Sequence, residues 1–322
     1  MCLIAYHASH EQFSPRDLLN YIQLAEAAGF TAIHSSDHFH PWSKQQGQSG
    51  FTLSWLGAAM QATKLPFSMV CAPGQRLHPA IVAQAIATIE NMFPGRFIME
   101  LGSGEALNET ITGEQWPEKP VRNERLLQCK QIISRLLQGE KVNYTGLVKV
   151  RNAQLYTLPD KVPPLFCAAL SKETAAWAGS WADGLLTTAD EDLGLTQSKL
   201  SAFNANGGKN KPVHLQMAFC YGRTRREAVD QAWDQWRSNL VGLDALANWA
   251  SPEEFDAAGA AVTREEIVDQ LTIITDMDEL KYRLLRLKAL KPACIHLHNF
   301  SRNQKDYLED MGEVLRGVIG EG

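Results

Sequence analysis

The sequence predicts an α/β fold, a closed (β/α)₈ TIM barrel with insertions, and three observations carry that prediction. Eight short β-rich runs alternate with longer segments whose apolar residues recur every three or four positions. The last helical segment follows the last strand, which suits a closed barrel better than an open sheet. Finally, 322 residues with 45% hydrophobic content can bury one large core, and no linker, repeat or low-complexity tract divides residues 1–322 into separate domains.

Taken in order, the chain opens with a strand at Leu3–Ala8 and a helix at Pro15–Ala28. A strand at 31–36 ends on the stretch Asp37-His38-Phe39-His40-Pro41-Trp42. A strand at 67–72 leads to a helix at Pro79–Met92, and Phe97–Leu101 leads through a glycine loop to a helix at 122–137. Residues 142–150 read as an inserted hairpin turning at Thr145-Gly146. Strand 165–169 precedes helix 172–181, strand 185–188 follows, and strand 214–220 precedes helix 225–240. The polar, Ala-rich stretch 243–263 is a second insertion with no clear period, before strand 294–298 and helix 303–319. Repeated βα units of this kind imply a parallel sheet.

A formal net charge of -5 argues against a nucleic-acid or anionic-membrane surface, because those partners need clustered Lys and Arg. Small molecules are the expected partners. The six cysteines are widely spaced, with neither a CxxC pair nor a disulfide-scaffold pattern, so they read as reduced packing residues. With no basic-then-apolar leader and no window near the roughly 20 apolar residues of a membrane span, a cytoplasmic protein is expected.

Three constellations lie just after predicted strands, where α/β barrels place their chemistry. In the first, His38 can accept a proton near neutral pH, Asp37 can orient a neighbour, and Trp42 can wall a ligand. A plainer reading has Asp37 cap a turn while the aromatics pack. In the second, Gly102-Ser103-Gly104-Glu105-Ala106-Leu107-Asn108-Glu109, two glycines allow close backbone approach, and Glu105 and Asn108 share one face if a helix begins there. In the third, Ser171, Lys172 and Thr174 gather a hydroxyl cap, a cation and free backbone N–H groups at one helix N-terminus, which suits a phosphate or simply caps the helix.

Asp37–Trp42, the run Arg76-Leu77-His78-Pro79-Ala80-Ile81-Val82-Ala83-Gln84 and Gly102–Glu109, in this order and spacing, resemble the bacterial luciferase-like oxidoreductases. The likeness is strongest to their deazaflavin-dependent glucose-6-phosphate dehydrogenase branch and runs over nearly the whole chain. It implies a luciferase-like barrel, with His38 as the base that takes an alcohol proton, Trp42 as a substrate-side wall and Glu105 as an acid near the ring. It also implies cofactor contacts from Asp37, Val70, Ala72, Gly102 and Asn108, with a bulge or cis peptide near Val70, and a homodimer. Ser171 and Thr174 are similar to the hydroxyl pair that grips the FMN phosphate in the luciferase branch, whereas the dehydrogenases have a glycine-rich turn there. With bulky Leu170, this favours FMN over the deazaflavin coenzyme F420.

The expected function is therefore a flavin-type oxidoreductase, moving hydride or performing monooxygenation on a small substrate, with NAD(P)H or a flavin reductase as electron source. The F420-dependent dehydrogenase of an alcohol or sugar phosphate is the alternative. Lys199 and Lys305 fall near places suited to a sugar phosphate, without an evident cluster around them. A metal-dependent hydrolase is a third reading, since His38/His40 and His296/His298 are each two apart at strand ends and could converge on an ion. A flavin-binding protein without turnover is a fourth.

Overall fold

Eight parallel strands close on themselves in the computed structural model, which describes residues 2–320. The first half runs β1 (Leu3–Ala8), α1 (Pro15–Ala28), β2 (Ala32–Ser36), α2 (Thr52–Ala62), β3 (Phe67–Cys71), α3 (Pro79–Met92), β4 (Phe97–Leu101), α4 (Ala106–Glu109) and α5 (Lys119–Leu137). A hairpin of β5 (Val142–Thr145) and β6 (Lys149–Ala153) precedes β7 (Leu165–Ala168), α6 (Lys172–Gly179), β8 (Gly184–Thr188), α7 (Leu193–Phe203), β9 (Val213–Tyr221) and α8 (Arg225–Trp236). The chain continues through α9 (Leu243–Asn248), α10 (Pro252–Gly259), α11 (Arg264–Gln270), β10 (Ile273–Ile274), α12 (Met277–Lys288), β11 (Cys294–Asn299) and α13 (Gln304–Gly320). Round the barrel the order is β1-β2-β3-β4-β7-β8-β9-β11, and β9 pairs with both β8 and β11 to seal the ring.

All eight predicted strands form, and the 142–150 hairpin forms with its second strand extended to Ala153. Four outer helices, α2, α7, α11 and α12, go beyond the sequence reading. The N-cap of α2, Phe51, makes no side-chain cap bond, so its start signal is weak, whereas α12 carries both an Asp276 N-cap and a helical stripe of buried Leu280, Leu284 and Leu287 and was legible in the sequence. The stretch 243–263 is not irregular: it holds α9 and α10, the latter opened by a Ser251–Glu254 capping box.

The bulge or cis bond expected near Val70 is absent. Ser36↔Val70 and Val70↔Glu100 pair in unbroken register, and no cis peptide occurs among the described residues. The backbone there is already satisfied in trans: Asp37 N donates to Val70 O at 3.1 Å and Gly102 N to Cys71 O at 2.8 Å.

Outward-facing Ile4, Tyr6, Ile33 and Met69 belong to the main apolar core beneath the helices. Inside the barrel, where branched aliphatics normally fill the layers, the filling is polar. A small lower layer of Leu3, Ala5, Ala32 and Cys294 lies below buried His7, His34, Ser68, Glu100, His214, His296 and His298. Gly184 leaves room for the Phe166 ring, whose carbons stand 2.5 Å from where a Cβ would be, and that ring packs against His214. No helix among the described residues is long and apolar enough to cross a membrane.

Candidate active site

The C-terminal ends of the strands open on a cavity of about 660 Å³, within the range of small-molecule sites. Asp37, His38, Trp42, Val70, Ala72, Gly102, Glu105, Asn108, Ser171 and Thr174 all line it. Lys172 does not. Because Ser171 caps α6, Lys172 occupies the first helical position and its side chain is exposed on the outside. The cofactor contact expected of Lys172 is therefore not part of this cavity.

Asn108 organises the His38 turn. Its Oδ1 accepts from the backbone N–H of Phe39 at 2.9 Å and of His40 at 3.3 Å, which fixes the orientation of the amide. Its Nδ2 must then donate, and it faces His38 Nδ1 at 3.1 Å and Glu105 Oε2 at 3.2 Å. His38 Nδ1 is consequently an acceptor, so in the neutral ring the proton sits on Nε2, 3.1 Å from Glu11 Oε1. Burial pushes the Glu11 carboxyl up, yet the His38 ring, the backbone N–H of Glu11, His298 and the Ser9 hydroxyl outweigh it, leaving Glu11 below the usual carboxylate range. The Trp42 ring stands 5.3 Å from His38 and 5.1 Å edge-on to Phe255 of α10, so the second insertion shapes this wall. Ser43 Oγ also donates to Asp256 Oδ1 at 2.6 Å.

Behind the turn lies a buried ion cluster. Arg76 Nη2 meets Asp37 Oδ2 at 2.5 Å, Arg76 N donates to Glu109 Oε2 at 2.8 Å, and Thr52 N donates to Asp37 Oδ1 at 3.3 Å. Asp37 thus positions its loop through Arg76. Burial raises the pKa of Glu109 despite the Arg76 and Arg125 guanidinium groups. The Glu105 carboxyl on the cavity wall is raised as well, first by burial and then by Glu11 and Glu109, against the pull of His38 and Asn108. A group held towards its neutral form in a cleft can donate a proton. Gly104 adopts φ +85°, and a Cβ there would press on Trp116 at 3.0 Å and Glu109 at 3.1 Å.

Several lining residues lay outside the sequence reading, chiefly Glu11, His7, Lys119 and Arg122, while His298, read there as half of a metal pair, also lines the cavity. Glu11 was findable, since it too follows a strand end. The convergence of His38 and His40 on an ion does not occur: His40 Nδ1 turns to Leu107 O at 2.8 Å while His38 faces Glu11. Deeper in the barrel, ligand atoms of His34, Glu100 and His296 lie within 4.8 Å of one another. The His34 and His296 rings are stacked, 3.9 Å apart and 17° from parallel, so their in-plane lone pairs run side by side and do not converge on one ion.

Comparison with known proteins agrees with this geometry. Residues 2–292 match the model of the luciferase-like monooxygenase family. The chain is 31% identical to the F420-dependent glucose-6-phosphate dehydrogenase of Microbacterium testaceum, covering 96% of this chain and 95% of that protein. It is likewise 31% identical to the enzyme of the same name from Beutenbergia cavernae, over 98% and 96%. A solved F420-dependent secondary alcohol dehydrogenase, in complex with an F420-acetone adduct, is 29% identical with a TM-score of 0.89 and 99% coverage of both chains. The coenzyme F420 dependent tetrahydromethanopterin reductase of Methanopyrus kandleri shares the fold at 18% identity and a TM-score of 0.77. The chain belongs to the luciferase-like family and is an oxidoreductase.

These relatives shift the cofactor expectation away from FMN and towards the deazaflavin. The hydroxyl pair that favoured FMN is largely self-satisfied: Ser171 Oγ accepts from Thr174 N and donates to Thr174 Oγ1, both at 3.2 Å. That is an N-cap, and it carries no preference between two cofactors that both bear a phosphate. The lining offers what a flat ring with an anionic tail requires, bare backbone for the ring and cations for the tail. A Cβ added at Gly102 would meet nothing nearer than 3.8 Å, which leaves bare backbone beside Val70 and Ala72 on the wall. Lys119 and Arg122 supply cations on the same lining.

Proposed function

We propose that this protein is an F420-dependent dehydrogenase that oxidises a small alcohol lacking a phosphate group. The deazaflavin, when bound, supplies the hydride-accepting carbon. Val70, Ala72 and Gly102 would seat its ring, and Lys119, Arg122, Ser171 and Thr174 its anionic tail. Glu11 and His38 share a proton at 3.1 Å and act together as the base, taking the hydroxyl proton as hydride leaves the carbinol carbon; general-base help of this kind is worth about 10²–10⁴-fold. Glu105, raised by burial, stands ready to donate a proton. Trp42 and Trp236 wall the cavity and exclude water around the reacting alcohol.

The Glu11–His38 pair inside a cavity of this size carries the reading, and the full-length F420-dependent relatives support it. Preference for an unphosphorylated alcohol rests on Lys199, whose ammonium is taken up by Asp190 Oδ2 at 2.8 Å and Thr188 O at 2.9 Å, and on Lys305, which is exposed outside the cavity. The test is anaerobic mixing of the purified protein with oxidised F420 and either 2-propanol or glucose 6-phosphate, following loss of the oxidised deazaflavin absorbance. Reduction with 2-propanol is expected. Stoichiometric FMN in the isolated protein, with turnover that needs oxygen, would overturn the proposal.

A further inference from the structure

Below the Glu11–His38 pair, a chain of titratable groups leads from the cavity into the barrel. His7 of β1 lines the cavity, and its Nδ1 lies 2.7 Å from Nδ1 of His34 on β2. His34 Nε2 lies 3.0 Å from Oε2 of Glu100 on β4, and Glu100 Oε1 lies 2.6 Å from Nδ1 of His214 on β9. His34 and Glu100 are fully buried. None of these groups is used by the chemistry at His38.

Two features fix how protons are arranged here. Two ring nitrogens 2.7 Å apart cannot both be bare or both protonated, so a single proton lies between His7 and His34. Glu100 is held ionised: burial opposes this, but the His34 and His214 imidazoles outweigh it and bring its pKa down to about 2. The groups facing Glu100 are imidazoles, His34 from β2, His214 from β9 and His296 from β11, with no Lys or Arg among its ion-pair partners in the described residues. A buried carboxylate without a counter-charge is costly, so the cluster retains one proton beyond those of neutral rings. His7 is faced by His34, His298, His10 and His38, and burial first, then these rings, keep its pKa well below the usual imidazole value; His296 is likewise kept neutral.

With the extra proton on His34, both of its N–H groups are engaged, Nε2–H by Glu100 and Nδ1–H by His7. The proton of His7 is then on Nε2, which makes no hydrogen bond among the described residues and belongs to a ring on the cavity wall. We infer that His7 is a second proton-transfer residue in the floor of the cavity, loaded through His34 and Glu100. In the transfer, Nε2–H of His7 passes to a basic oxygen or nitrogen of the bound ligand, while the His34 Nδ1 proton crosses to His7 Nδ1. His34 ends neutral and still donates Nε2–H to the Glu100 carboxylate. One proton leaves, one N–H bond breaks and forms at each step, and the reverse sequence takes a proton up. His34 and Glu100 are positioning residues in this scheme, and only His7 meets the ligand.

The first measurement is ¹⁵N NMR of histidine-labelled protein without cofactor. At neutral pH, His34 should show two protonated nitrogens and His7 the Nε2–H tautomer. Glu100→Gln should remove the second His34 proton and switch His7 to the Nδ1–H tautomer. A neutral His34 in the wild-type protein throughout pH 5–9 would overturn the inference, as would an unchanged His7 tautomer in a folded Glu100→Gln. Should that core variant fail to fold, His7→Gln on the cavity wall takes its place. The inference rests on the dehydrogenase reading only for its kinetic arm: with F420 and 2-propanol, His7→Gln should lower kcat about 100-fold with KM within twofold, and remove one limb of the pH profile. An unchanged pH profile would reduce His7 to packing. Absence of F420 reduction by the wild-type enzyme would instead refute the dehydrogenase reading, leaving the NMR result to decide this one.

Discussion

Replacing Asn108 by alanine removes four hydrogen bonds from the turn that carries His38: two accepted from Phe39 N and His40 N, and two donated to His38 Nδ1 and Glu105 Oε2. Phe39 is exposed and His40 half-buried, so water can replace part of what the backbone loses. With a net value of about 1 kcal/mol per bond and partial rescue, a stability loss of about 2 kcal/mol is expected. The catalytic loss should be larger in proportion, because the ring no longer has a fixed tautomer. A fall in kcat of about 100-fold corresponds to about 2.7 kcal/mol of barrier. Asn108→Asp separates the two roles: it keeps acceptors for the backbone N–H groups, but puts a carboxylate against His38 Nδ1 and next to Glu105. Urea unfolding should show Asn108→Asp less destabilised than Asn108→Ala, while steady-state kinetics show both impaired. Wild-type kcat in Asn108→Ala, with the His38 tautomer unchanged by ¹⁵N NMR, would refute the assigned role of the amide.

Three further perturbations test the surrounding electrostatics and backbone. Arg76→Met leaves Asp37 and Glu109 buried without their guanidinium, a loss of about 3–5 kcal/mol; it should be smaller at pH 5 than at pH 8 by urea unfolding, because Glu109, already raised by burial, takes up a proton more readily without Arg76. Glu105→Gln should raise Tm at pH 8 while abolishing turnover. The folded pKa of Glu105 lies above its ordinary 4.5, so stability is lost as pH rises from that value through the folded one, and the variant and wild type should converge well below pH 4.5. Gly104→Ala forces a Cβ into a left-handed backbone at φ +85° against the Trp116 ring, costing about 1–2 kcal/mol, and should weaken F420 binding in a fluorescence titration; unchanged affinity would place that loop outside the cofactor seat.

Much of the fold was legible because the strands are short apolar runs separated by long amphipathic helices, a pattern that survives without any knowledge of packing. The three chemical loops were legible for a related reason. Asp37–Trp42, Gly102–Asn108 and Ser171–Thr174 are each local in sequence and follow a strand, so position alone pointed to them. Helix α2 escaped because no side chain caps its start, whereas α12, with its Asp276 cap and Leu280–Leu284–Leu287 stripe, carries the ordinary sequence signals of a helix. The FMN preference gave way to the better-supported F420 alternative, because a Ser–Thr pair at a helix start has the same signature whether it grips a phosphate or caps the helix. At the same place the cap turns Lys172 outward, off the cavity lining.

By itself the sequence determined the barrel, the mouth at which the cavity lies and the presence of His38, Trp42 and Glu105 on its lining. Tertiary structure alone decided their partners. Glu11 reaches His38 from the loop after β1, Arg76 reaches Asp37 from the loop after β3, and His7, His34, Glu100, His214 and His296 each come from a barrel strand. A strand's period of two says that alternate residues share a face, but both faces of a parallel barrel strand are buried, so the pattern cannot say which face points inward. Closure of the ring makes that choice, and with it the polar axis beneath the cavity.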